Sequence, residues 1–269
     1  MNDFLAQAKT FLFVPGHRPD RFAKAAASGA DVVILDLEDA VGPGHKEAAR
    51  EHVRTWLEDG NRAIVRINAP GTPWYDGDVA ITERALAVML PKAEDPAQVD
   101  AVPGVPVIPL VETAAGIAAA VAICAADAVV RPAFGSVDLA SQLGVDHSSH
   151  EALRYARSAL VIASAAAGKA APIDGVTTAL DDEAALTVDL EHARILGFSG
   201  KLCVHPRQVP VANKAFVPTG SEIEWARGVL APVGDGSVAV AGGQMVDRPV
   251  ELRARAILDR AGEPFRPAG

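Results

Sequence analysis

Cysteine is nearly missing from this chain: its 269 residues hold only Cys124 and Cys203, with no C-x-x-C spacing. That excludes a disulfide framework and a structural zinc site, and leaves both thiols as reduced core residues. Positive charge is in deficit too. A formal charge of −9 argues against a nucleic-acid or anionic-membrane surface, so an anionic ligand has to be held by local arginines. No run approaches the roughly 20 apolar residues of a membrane span. The start, MNDFLAQAKT, has neither the basic region nor the apolar run of a signal peptide. These absences point to a cytoplasmic protein. No G-x-G-x-x-G turn follows the first apolar run, which removes the fingerprint of a dinucleotide-binding sheet.

What is present is a strand–helix alternation. Short apolar runs recur at Phe11–Pro15, Val32–Leu35, Ala63–Val65, Leu86–Leu90, Val107–Val111, Pro132–Val137, Ala171–Val176 and Gly200–His205. Helix-length segments lie between them, among them Pro19–Gly29, Lys46–Glu58, Thr113–Ala126, Ser148–Gly168 and Asp181–Leu196. Pro172 weakens the seventh strand, since proline cannot donate to a ladder. Eight such units over this length predict a closed (β/α)8 TIM barrel of the α/β class. The barrel is expected over residues 1–217. Residues 218–269 read as a C-terminal helical and loop extension, packed on the barrel or on a neighbouring subunit.

The chemistry gathers where strands end. Val107–Val111 runs into Glu112 and Pro132–Val137 into Asp138, so one βαβ unit brings two carboxylates to adjacent positions on the rim where barrels place their active sites. Asp36, Glu38 and Asp39 end the second strand, and Arg66 the third. Residues two apart share a strand face, which groups Ile34 with Asp36 and Glu38, Ile64 with Arg66 and Asn68, and Ile108 with Leu110 and Glu112. Two carboxylates suit Mg²⁺, whose remaining positions are filled by water and substrate oxygens. Arg66 would offer a two-pronged donor to a substrate carboxylate.

Blander roles stay open at each position. Glu112 is also placed to favour the dipole of the following helix with Thr113 as its cap, and Asp138 to serve a turn or helix start. Arg66 has Asp36 and Glu38 within reach as structural partners. His147 and His150, flanked by serines, read as a polar loop and helix start rather than a metal site. His205 lies at the eighth strand end, and His17 and Arg18 follow the first. Gly135 and Gly175 permit close backbone approach.

The blocks FLFVPGHRPDRFAKA, DVVILDLEDAV, VRIN, MLPKAE, LVETAAGI, FGSVDLA, CVHPRQV and GGQMVD, in this order, resemble the citrate lyase beta subunit-like branch of the HpcH/HpaI aldolase superfamily. The resemblance spans nearly the whole chain. It implies a (β/α)8 barrel that forms homotrimers and binds Mg²⁺ through Glu112 and Asp138. It places Arg66, Glu112, Gly135, Ser136, Val137 and Asp138 at the substrate, with Arg66 on its carboxylate. Glu38 and Asp39 would lie beside the metal waters, and Arg18, Arg21 and Lys24 near coenzyme A. Asp247 matches an aspartate that reaches the neighbouring subunit's site as acid or base. The implied activity is Mg²⁺-dependent carbon–carbon cleavage, or condensation, of a short 3-hydroxyacyl-CoA such as citramalyl-, malyl- or citryl-CoA, giving an oxo acid and an acyl-CoA. Alternatives are a citrate lyase complex subunit acting on a carrier-bound thioester, a CoA-independent 2-oxo acid aldolase and a non-catalytic binding subunit.

Overall fold

The computed structural model describes residues 2–231, 239–241 and 244–263. In its first part the chain runs through α1 (Asn2–Gln7), β1 (Thr10–Pro15), α2 (Phe22–Ala26), β2 (Val32–Asp36), α3 (Lys46–Glu58), β3 (Ile64–Arg66), α4 (Tyr75–Val79) and β4 (Ala87–Leu90). It continues with α5 (Pro96–Asp100), β5 (Val107–Val111), α6 (Ala114–Ala125), β6 (Ala133–Phe134), α7 (Ser136–Leu143), α8 (His150–Ala166), β7 (Ile173–Asp174), α9 (Glu183–Leu196), β8 (Gly200–Cys203) and α10 (Gln208–Ala215). The strands form a closed barrel in sequence order, each pairing in parallel with the next and β8 returning to β1. This is the expected (β/α)8 barrel. Contacts divide the chain into one unit up to Asn213 and a second from Lys214.

The strand alternation holds inside the barrel. Ile34, Ile64, Ile108 and Leu110 share one buried cluster with Phe11, Met89, Ala133, Ile173 and Leu202. An outer cluster lies between the β5–β6 wall and its helices, with Val111, Phe134, Leu139, Leu153 and Leu160. Cys124 and Cys203 are buried free thiols, as expected, and burial raises them to about 11 and about 12. Among the described residues no helix is long and apolar enough to cross a membrane.

β6 and β7 are shortened most against their apolar runs, to two residues each. Ile173 is the first residue after Pro172 able to donate, and its N–H goes to Pro132 O, so β7 begins there. β6 ends at Phe134 because Gly135 turns the chain into α7 as its N-cap. Asp138 therefore sits in the first turn of a helix rather than at the end of a strand. At the opposite, N-terminal end, Arg131 is fully buried and donates to the carbonyls of Leu5, Ala6, Ala8 and Pro172 and to Ser199 Oγ. It ties α1 and its following turn to the β6 and β8 starts.

In the second unit, α11 (Gly220–Leu230), β9 (Ala239–Ala241), β10 (Gln244–Val246) and α12 (Arg248–Arg260) follow, with β9 and β10 antiparallel. Ala226, Val229 and Leu230 of α11 pack with Ala254, Ile257 and Leu258 of α12, and the Arg253 guanidinium lies over the Trp225 ring. Thr219 and Glu222 close a capping box at the start of α11.

Candidate active site

Register builds the first part of the site. β2 and β3 pair so that Asp36 stands beside Arg66, and Arg66 donates Nε and Nη2 to the two Asp36 oxygens at 2.7 and 2.6 Å. The fork expected to clamp a substrate carboxylate is thus engaged by Asp36. Arg66 Nη1 remains on the open side, 3.1 Å from Glu38 Oε2 and 3.6 Å from Asp39 Oδ2, while the guanidinium covers the Phe13 ring. Burial opposes its charge, but Asp36 outweighs that and raises Arg66 above its usual range.

The turn after β2 is held from behind. Lys46, buried at the start of α3, donates to Leu37 O, Glu38 O and Asn68 Oδ1 at 2.6–2.7 Å. Asn68 donates to Leu37 O and Asp78, and Asp78 accepts from Arg50. This chain of charge-assisted bonds fixes the backbone that carries Glu38. Glu38 then accepts from Lys92 Nζ through Oε1 at 2.7 Å, while its buried Oε2 is ion-paired with Arg66 Nη1 at 3.1 Å without a well-aligned hydrogen bond among the described residues. Burial raises its carboxyl above the usual range.

Glu112 immediately precedes α6. Thr113 is the N-cap, accepting from Gly116 N, so Glu112 is outside the helix and its Oε1 accepts from Lys92 N at 2.9 Å instead. It is 4% exposed. Burial, the charge of Glu38 and, more weakly, that of Asp138 push its carboxyl up to about 8. Asp138, more open, lies 3.5 Å from Lys92 Nζ. Gly135 makes the arrangement possible: a Cβ there would lie 2.3 Å from Glu112 Cβ and 2.6 Å from Glu112 Oε2. Its neighbour Ser136 has a buried Oγ with no hydrogen-bond partner among the described residues, and a Cβ at Gly175 would lie 2.7 Å from it. Glu38, Asp39, Arg66, Glu112 and Asp138 therefore converge on one rim, linked through Lys92.

A family model described as HpcH/HpaI aldolase/citrate lyase matches residues 9–206. The chain belongs to this family. It is 44% identical over 266 residues to a citrate lyase subunit beta-like protein of Mycobacterium tuberculosis, covering 94% of this chain and 95% of that one. A (3S)-malyl-CoA thioesterase of Cereibacter sphaeroides is 34% identical over 268 residues, covering 94% of each. Among solved structures, CitE from Mycobacterium tuberculosis in complex with magnesium, acetoacetate and coenzyme A superposes with a TM-score of 0.85 at 40% identity, over 96% of this chain and all of that one.

In this HpcH/HpaI family member a second charged cluster, which the sequence reading passed over, lies at β7 and β8. It is on the face turned away from the barrel interior, since Ile173 just before Asp174 and Leu202 just after Lys201 belong to the interior cluster. β7 and β8 pair Asp174 with Lys201. Lys201 Nζ donates to Asp174 Oδ2 at 2.7 Å and Arg157 Nε to Oδ1 at 3.1 Å. Nearby, His150 opens α8, hydrogen-bonds Asp189 at 2.7 Å and stacks on His192, and His147 contacts Thr178 Oγ1. Among the described residues no three His, Cys, Asp or Glu side chains form a metal cluster. His205 follows β8, and Arg207 N donates to its Nδ1. His17 stacks on His45, and Arg18 pairs with Asp20.

Asp247 caps α12, its Oδ1 accepting from Val250 N at 3.2 Å. Gly242 and Gly243 of the tail motif lie outside the described residues. Lys92 is the rim residue that sequence reasoning missed. The signal available was its place: it follows β4 on the edge where Glu38, Arg66 and Glu112 also sit.

Proposed function

We propose that this chain is a magnesium-dependent carbon–carbon lyase that cleaves, or in reverse condenses, a short 3-hydroxyacyl-CoA, giving an oxo acid and an acyl-CoA. The observation that carries this reading is Glu112: a carboxyl 4% exposed and driven up to about 8, on a barrel like that of a protein solved with magnesium, acetoacetate and coenzyme A. The donor set fits the ion. Two carboxylates, Glu112 and Asp138, are the complement Mg²⁺ takes when water and substrate fill its other positions. Oε2 of Glu38, ion-paired with Arg66 but with no aligned hydrogen bond among the described residues, has lone-pair capacity to accept from such a water. Bound there, Mg²⁺ supplies a Lewis acid for the keto and carboxylate oxygens of the oxo acid.

The chain's own residues do the rest. Arg66 turns its Nη1 edge to the substrate carboxylate while Asp36 holds its plane. The Ser136 hydroxyl and the first-turn N–H groups of α7, at Val137 and Asp138, receive the second carboxylate oxygen, with Gly135 allowing the backbone close. Asp247 of a neighbouring subunit takes the proton of the substrate hydroxyl as the carbon–carbon bond breaks and the acyl fragment leaves as a thioester enolate, and then returns that proton to the enolate carbon. Homotrimeric assembly in the cytoplasm, a barrel ending near residue 217 and citramalyl-, malyl- or citryl-CoA as substrate complete the reading.

The deciding experiment titrates the protein with pyruvate, glyoxylate and oxaloacetate with and without Mg²⁺, then assays CoA-thioester cleavage. Metal-dependent binding with thioester cleavage is the expected outcome. Binding without CoA turnover would favour a carrier-dependent beta subunit, in line with the 34% identity to the citrate lyase subunit beta of Leuconostoc mesenteroides. The absence of metal-dependent binding would remove the site. For Asp247, the variant Asp247→Asn keeps the cap, since asparagine caps as well as aspartate. It should lower kcat by about 10²-fold with α12 intact by circular dichroism. Mixing it with an Arg66→Lys variant should restore turnover only if the two residues act across subunits.

A further inference from the structure

Lys92 has the one positive φ among the described non-glycine residues, +50°, a conformation that L side chains rarely adopt. The geometry it produces is specific. The backbone N–H reaches Glu112 Oε1 at 2.9 Å, while the side chain runs to Glu38 Oε1 at 2.7 Å and Asp138 Oδ2 at 3.5 Å. A single residue therefore touches three carboxylates, two of which are the proposed ligands of the metal. Its side chain is 41% exposed, so the ammonium is free to swing away without breaking the core.

We infer that the Lys92 ammonium is the resident counter-ion of this carboxylate cluster, and that a divalent cation binds by displacing it from Asp138. The inference rests on the metal reading above. An ion held through Asp138 Oδ2 at about 2.1 Å would lie no more than about 6 Å from that ammonium in its present position, with like charges facing each other in a partly buried pocket. Lys92 resolves the conflict by keeping Glu38 and releasing Asp138. Its backbone meanwhile continues to orient Glu112, because the N–H contact does not depend on where the side chain goes. Lys92 is thus a positioning residue through its main chain and a competitor of the metal through its side chain.

The two functions separate by substitution. Lys92→Met removes the charge and keeps the length. Lys92→Gly suits the positive φ, keeps the N–H and serves if the methionine variant folds poorly. Mg²⁺ titrated calorimetrically into chelator-treated full-length protein, without substrate, should bind either variant at least about tenfold more tightly than wild type. Lys92→Arg, which keeps the charge, should stay within about threefold. Equal or weaker binding by the methionine and glycine variants, with wild-type binding abolished by Glu112→Gln, would overturn the counter-ion role and leave the metal site standing. Absence of Mg²⁺ binding by wild type and both neutral variants would overturn the metal reading and this inference with it.

Discussion

Glu112 and Asp174 are buried carboxyls of the same barrel, 4% and 1% exposed, yet their protonation is driven in opposite directions. Burial pushes both up. At Asp174, Lys201 and Arg157 outweigh it and hold the carboxyl below the usual range. At Glu112 the charge of Glu38 and, less strongly, that of Asp138 add to burial, and the opposing Lys92 N–H and ammonium charge do not outweigh them, so the carboxyl stands at about 8. Equal desolvation with unequal partners separates a finished ion cluster from one that is short of positive charge. The first is part of the scaffold. The second is where a cation from outside has something to gain.

The largest effect is expected on the finished side. Asp174→Ala leaves Lys201 and Arg157 buried and facing each other, so urea unfolding should show a loss of about 3–5 kcal/mol. Glu112→Gln should do the reverse of this. Removing an acid that is raised by burial should cost no stability near neutral pH, while Mg²⁺-dependent turnover falls about 10²–10³-fold. The pH profile sharpens the contrast. A carboxyl whose folded value lies above its unfolded value of about 4.5 contributes stability fully below that pH, and the contribution is lost as pH rises toward about 8. In chelator, wild-type stability should therefore fall between those values relative to Glu112→Gln. Parallel profiles for the two proteins would contradict the raised value.

A smaller perturbation tests whether the open cluster depends on close packing. Gly135→Ala places a Cβ 2.3 Å from Glu112 Cβ, which forces Glu112 or β6 aside. Overpacking of this kind costs about 1–3 kcal/mol, and the displaced carboxylate should weaken Mg²⁺ binding in calorimetry. Stability and affinity unchanged together would mean that the rim yields more easily than the contacts indicate.

The two clusters were unequally legible in the sequence. Strand alternation put Asp36, Arg66 and Glu112 on inward faces, and acids at the ends of apolar runs marked the open side. The Asp174–Lys201 pair needs the β7–β8 register, which no run of residues states. Its available signal was a lysine inside the buried GKLC strand, as Arg131 is an arginine inside VVRPAF. Asp138 was placed one element too early because Gly135 both ends β6 and caps α7. Lys92 escaped because its role depends on a positive φ, which a lysine does not advertise.

The mildest test concerns the neighbour of Glu112 and separates the two roles that the LVET run left open. Thr113 caps α6 by accepting from Gly116 N at 3.0 Å, and Glu112 stands outside the helix with its Oε1 turned to Lys92 N. Thr113→Ala should therefore cost about 1 kcal/mol in stability and leave turnover within about threefold, because the lost bond belongs to the helix. Were Glu112 a helix-dipole acid, its loss would resemble the threonine's, a modest stability cost with activity kept. The structure requires the opposite pairing: stability falls at residue 113 and activity at residue 112. Two adjacent side chains with exchanged phenotypes would show that the open cluster, unlike the Asp174 cluster, holds its acid for something other than the fold.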